Sequence, residues 1–119
     1  MKRFLAVIAL VLMLAAPSFA LSNKEYGRLM SNESFARADR RLNQVYTDLK
    51  RNVSKAVWRV LSEEQKQWIE WGRDEDAEAY IDDGYSRTRA YTQATNDRAE
   101  YLPDRAKEIA REVARKKRR

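Results

Sequence analysis

The sequence predicts an all-α protein, a small antiparallel bundle of three main helices with a basic C-terminal helical tail. Three observations carry this expectation. Apolar residues recur at three- and four-residue steps over long stretches, capping residues stand where those stretches begin, and no strand-like alternation persists anywhere in the 119 residues.

Taken in order, the chain opens with Lys2 and Arg3, continues through a largely apolar run from Phe4 to Ala16, and closes on Pro17, Ser18, Phe19 and Ala20. That is the layout of a secretory signal peptide, with small residues at Ser18 and Ala20 fitting a cut after Ala20. The apolar run falls short of the roughly 20 residues that span a bilayer as a helix. Lipid attachment is excluded because the chain has no cysteine. The expected domains are therefore a signal peptide at 1–20, one helical domain at 21–104 and a basic tail at 105–119, with the product periplasmic or secreted.

The first predicted helix carries Phe35, Ala38, Leu42, Val45, Tyr46, Leu49 and Val53 on one side. Asn32 or Ser31 caps its start, and Asn52 stands near its end. The second carries Trp58, Leu61, Trp68, Ile69, Trp71 and Tyr80, and either Ser54 or Ser62 begins it, since Ser62-Glu63-Glu64-Gln65 has capping-box spacing. Asp82-Asp83-Gly84 ends it, because glycine readily takes the left-handed conformation that closes a helix. The third runs from Ser86 to Leu102, and Pro103 either stops it or opens a further helix. Beyond Pro103 a thin apolar stripe of Ala106, Ile109, Ala110, Val113 and Ala114 suggests a marginal, loosely attached helix. The like charges of Lys116, Lys117, Arg118 and Arg119 suggest a disordered end.

Composition narrows the chemistry. Neither cysteine nor histidine occurs, which removes thiolate nucleophiles, the usual general base near neutral pH and the commonest zinc ligands. No catalytic residue, metal site or cofactor is expected, and binding is favoured over catalysis. The net charge of +6 hides a basic tail behind a slightly acidic body. The tail holds Arg105, Lys107, Arg111, Arg115, Lys116, Lys117, Arg118 and Arg119. The body concentrates Asp74, Glu75, Asp76, Glu78, Asp82 and Asp83 in one short stretch.

The residues also carry a resemblance. Leu42-Asn43-Gln44-Val45-Tyr46 with Leu49 resembles the L-N-x-V-Y-x-x-L signature of lysozyme-inhibitor LprI-like proteins. Leu61, Gln65 and Trp68 stand where those proteins carry L-x-x-x-Q-x-x-W. Gly84-Tyr85-Ser86 resembles their G-G-S turn, and Thr95, Arg98 and Leu102 resemble their closing T-x-x-R-x-x-x-L. The resemblance covers roughly residues 35 to 102. Two departures stand out. The family pattern W-x-x-[aromatic]-R-D is interrupted here by Gly72, and the cysteines the family carries near Asp76 and Ala90 are absent. A missing disulfide of that kind costs about 2–5 kcal/mol.

The resemblance implies a protein partner, a lysozyme, blocked by contact. Trp71, Asp74, Glu75, Glu78, Asp82 and Asp83 are the candidate partner-binding residues, because a negative surface speeds encounter with a cationic protein and orients it. Asp82-Asp83-Gly84 lacks the ligand spacing of a calcium loop. Arg111, Arg115, Lys116, Lys117, Arg118 and Arg119 are candidates for an anionic membrane surface, which fits an alternative function as a periplasmic adaptor or envelope-stress protein. Export argues against nucleic acid as the tail's partner. Leu42, Tyr46, Leu49 and Trp68 are expected in the core, and Asn43 either bonds a neighbouring helix or faces water.

Overall fold

The computed structural model describes residues 21–118. The expected signal peptide and Arg119 lie outside the described residues. Among those described, every element is helical: α1 (Asn23–Met30), α2 (Glu33–Asn52), α3 (Lys55–Gln67), a π-helical turn (Trp68–Gly72), α4 (Arg73–Asp82) and α5 (Arg87–Lys117).

Local chemistry places each boundary. Helix α1, which carries no periodic apolar signal, starts on a capping box in which the Ser22 hydroxyl accepts from the Glu25 N–H and the Glu25 carboxylate accepts from the Ser22 N–H. The Asn32 side chain caps α2 by accepting from the Phe35 N–H at 3.0 Å, which decides between the two candidate caps. Ser54, and not Ser62, caps α3, accepting from the Val57 N–H at 3.2 Å. Ser62 sits inside the helix, where its hydroxyl donates to the Arg59 carbonyl at 3.2 Å. The α2–α3 link needs neither glycine nor proline, because Val53 and Ser54 turn the chain in ordinary extended conformations. Gly84 closes α4 with a φ of 100°, and the Ser86 hydroxyl caps α5.

Pro103 neither ends α5 nor restarts it. An interior proline costs about 3 kcal/mol, whereas each fully buried large aliphatic side chain supplies about 1.5–3 kcal/mol. Leu102, Ala106 and Ile109 flank the proline and are all buried, so packing outweighs the lost backbone bond. The marginal, loosely attached helix expected beyond Pro103 is thereby corrected: its first turns belong to the core. Lys116 and Lys117 are helical as well, consistent with the attraction of cations to the negative end of the helix dipole.

Helix α2, the α3–π–α4 rod and α5 make an up-down-up bundle. Phe35 shares a core cluster with Ala90, Tyr91 and Ala94, and Leu42 shares another with Leu102, Ala106 and Ile109. Helices α2 and α5 therefore run in the same direction. The central rod runs opposite, as the contacts of Glu64 with Arg105, Gln65 with Arg98 and Asp74 with Tyr91 show. This polarity puts the α4–α5 turn at one end of the long axis of 48 Å. The α2–α3 turn and the C-terminus of α5 lie together at the other.

Candidate functional site

The central rod carries the acidic residues, and the π turn sets their direction. Here the Arg73 N–H bonds the Trp68 carbonyl five residues back, so one residue more than an α-turn is accommodated. A Cβ on Gly72 would lie 3.0 Å from Trp68 Cδ1, and a bare glycine lets the indole pack against the widened turn. The Arg73 guanidinium consequently stands 5.6 Å from the centre of the Trp68 ring. In an unbroken α-helix that place, one turn on, would belong to the fourth residue after the tryptophan. Gly72 thus inserts a residue into the W-x-x-[aromatic]-R-D pattern without displacing Arg73 and Asp74 from their side of the rod.

Trp68 is buried and is the hub of a cationic aromatic cluster. Its indole N–H donates to Asp76 at 3.0 Å. Arg98, from α5, stands 5.4 Å from the same ring and 4.9 Å from that of Tyr101, and its Nε donates to the Gln65 Oε1 at 2.8 Å. Burial pulls the Arg98 pKa below the usual arginine value. Arg73 is also buried, with the Tyr26 ring 5.8 Å away. Leu61 and Leu102 complete this region of the core. The two motifs that end in Trp68 and Leu102 are therefore the two halves of one interhelical contact. Thr95 is buried with its hydroxyl donating to the Tyr91 carbonyl at 2.7 Å.

The expected partner-binding residues divide. Asp74 is half-buried and accepts from the Tyr91 hydroxyl at 2.6 Å. Burial raises its pKa against the opposing effects of that bond, Arg73 and Arg87. Glu75, Glu78, Asp82 and Asp83 are exposed, and Trp71 is half-buried with contacts of its own. The acidic face presented to solvent is therefore the glutamates and aspartates of α4 beyond Asp74.

Three tyrosine–aspartate bonds were not visible in the sequence. Tyr26 donates to Asp39 at 2.6 Å, Tyr91 donates to Asp74, and Tyr80 donates to Asp97. Tyr26 is pushed up to about 12, first by burial and then by Asp39, and Tyr80 to about 12, chiefly by its bond to Asp97. Burial, and then Asp74, raises Tyr91 further. Two of these bonds tie α4 to α5, and Ala77, Ala90 and Ala94 pack closely beside them. They stand where the resemblance implies a disulfide.

At the opposite end, Tyr46 packs against Trp58 with ring centres 4.7 Å apart and ring planes tilted by 44°, and Leu49 and Val53 pack beside them. Asn43 is exposed and its amide reaches Asp39 at 3.4 Å. Arg111, Arg115, Lys116, Lys117 and Arg118 are exposed on the last turns of α5. Arg105 is drawn inward instead, its Nε donating to Glu64 at 2.8 Å, with Glu108 at 3.2 Å. No group of three or more carboxylates among the described residues is arranged to hold a metal ion. No helix among them is long and apolar enough to cross a membrane.

The family model of lysozyme inhibitor LprI matches residues 22–109. The chain belongs to the lysozyme inhibitor LprI family. The LprI match takes in α1 and the turns of α5 beyond Pro103, as well as the motifs seen in sequence. No curated protein and no solved structure matches the chain.

Proposed function

We propose that the protein is exported and inhibits a lysozyme by direct contact, covering the enzyme's cleft without doing chemistry, and that the exposed face of α4 makes that contact. Membership of the LprI family carries the reading. The charge layout supports the choice of face: Glu75, Glu78, Asp82 and Asp83 are exposed near the α4–α5 turn, while the basic turns of α5 lie at the far end. Between Lys55 and Asp82 the rod spans about 40 Å at a rise of about 1.5 Å per residue. Over that distance, several Debye lengths at physiological salt, the basic end does not repel a cationic enzyme docked on α4. Trp71, beside this face, supplies apolar contact area to the interface.

The test is lysozyme activity on peptidoglycan with increasing protein, at low and high salt. Salt-sensitive inhibition that weakens on reversing Glu75, Glu78 and Asp82 to lysine supports the reading. Inhibition that survives those reversals removes α4 from the interface, and no inhibition of any lysozyme class removes the function. One observation favours a second reading, an adaptor held at an anionic surface: Arg111, Arg115, Lys116, Lys117 and Arg118 share one end of the bundle with Lys50, Arg51 and Lys55. Salt-sensitive binding to anionic liposomes, lost on removing residues 105–119, would support it.

A further inference from the structure

At the basic end, Lys50, Val53, Lys55, Trp58, Arg59 and Ser62 line an open cleft of about 520 Å³. It lies across the α2–α3 turn, so its walls come from both helices. No acidic side chain lines it. Some exposed cations meet carboxylates, as Arg37 meets Glu33, Arg41 meets Glu100, Arg51 meets Asp48 and Arg87 meets Glu25. Lys50, Lys55 and Arg59 make no ion pair among the described residues; the nearby Asp48 is already engaged by Arg51 and Gln44. The apolar part of the cleft is Val53 and the Trp58 indole; the indole is braced by Tyr46 at 4.7 Å, with the Lys50 ammonium 5.9 Å from its ring centre.

We infer that this cleft is a binding site for an acidic saccharide, a sugar ring carrying a phosphate or a carboxylate. Three observations select that chemistry. Three unpaired cations around one concavity favour an anion, and lysine and arginine both suit phosphate and carboxylate oxygens. A braced indole offers a flat apolar surface with a polar edge, which suits the C–H face of a pyranose. The volume lies in the range of small-molecule sites and exceeds what a bare phosphate fills. A flat lipid surface would meet the exposed ends of the side chains and would make little use of a concave cleft lined by an indole. The choice of a saccharide over a nucleotide rests on the proposal that the protein works outside the cytoplasm, where acidic sugars of the cell wall surround it.

The experiment titrates the purified protein with glucose 6-phosphate, N-acetylmuramic acid and neutral N-acetylglucosamine, following tryptophan fluorescence and amide chemical shifts. Either acidic sugar should bind about tenfold or more tightly than the neutral one, with shifts centred on Lys50, Lys55, Trp58 and Arg59. The sugar phosphate and the sugar acid distinguish which anionic group is preferred. Lys55→Glu and Arg59→Glu should each weaken binding about tenfold while leaving the circular dichroism and melting temperature unchanged. Trp58→Phe, which keeps a ring in the core, should remove the fluorescence response. Equal binding of the neutral sugar would overturn the inference, as would adenosine monophosphate binding more tightly than either acidic sugar. It also fails if the cleft responds only to phosphatidylglycerol vesicles, with no competition from the soluble sugars. Lysozyme inhibition is measured on the same variants. Sugar binding without inhibition discards only the proposed function, and inhibition without sugar binding discards only this site.

Discussion

The two ends of the bundle use charge in opposite ways. Around Phe35, Tyr91 and Ala94, aspartates are consumed by the fold: Asp39, Asp74 and Asp97 each accept from a tyrosine hydroxyl, and between the two clusters Asp76 accepts from the Trp68 indole. Around Leu61, Leu102 and Ile109 the core is largely aliphatic; Arg98 and Arg105 are drawn inward there, while the cations of the last turns of α5 are left facing water. The difference teaches where to look for binding. At the acidic end a carboxylate's presence in the sequence is weak evidence of function, because Asp74 and Asp76, two of the six clustered there, are bonded into the fold. At the basic end the fold makes little use of the charges.

Substitutions can break this comparison, beginning with the aliphatic end. Leu61→Ala or Leu102→Ala, at positions fully buried, should each lose about 2–5 kcal/mol in urea unfolding. A loss below about 1 kcal/mol would mean that this end is not the mechanical core.

The π turn comes next. Gly72→Ala should destabilise by about 1–3 kcal/mol through overpacking against Trp68, although replacing a glycine inside an ordinary helix stabilises by up to about 1 kcal/mol. Deleting Gly72 should be tolerated better than substituting it, because it returns Arg73 and Asp74 to unbroken α-helical spacing. Thermal melts of the two variants side by side decide the point.

The tyrosine bonds sharpen the contrast through pH. Tyr26 and Tyr80 titrate at about 12 in the fold against an ordinary 10.0, and Tyr91 is also raised. A raised folded pKa means that the unfolded chain releases its protons first as pH rises. The stabilising contribution of these phenols is therefore present below pH 10.0 and is lost as pH climbs through about 12. Denaturant midpoints measured across that window should fall, with phenolate absorbance appearing alongside unfolding. Tyr91→Phe should lose about 1–2 kcal/mol at neutral pH and flatten the alkaline decline.

The smallest effect belongs to Arg105, whose network with Glu64 and Glu108 is partly exposed. Arg105→Ala should cost about 1 kcal/mol, and high salt should shrink the difference from the parent protein.

The all-α class, the α2 stripe and the Gly84 turn were legible because periodicity and glycine chemistry are local. The continuity of α5 was not, since Pro103 is a local signal for a break and the opposing burial of Leu102 and Ile109 depends on distant helices. Helix α1 was missed because a capping box before a short polar stretch has no apolar period to announce it. At the candidate site, Gln65, Trp68 and Arg98 were visible as motif positions, but their meeting was not. Arg73 was hidden by the extra residue, which fixed spacing treats as a mismatch and a π turn absorbs. The tyrosine–aspartate pairs lie 13 and 17 residues apart in the chain, beyond the reach of any helical spacing rule.

The direction shared by α2 and α5 has a consequence for how copies of the molecule meet. With the basic turns gathered at one extremity and exposed carboxylates of α4 near the other, each molecule carries a permanent electric dipole along its length. Head-to-tail contact between such molecules does not close on itself and so favours open strings over symmetric dimers. Scattered light from concentrated solutions should therefore rise as ionic strength falls and drop back when salt is restored.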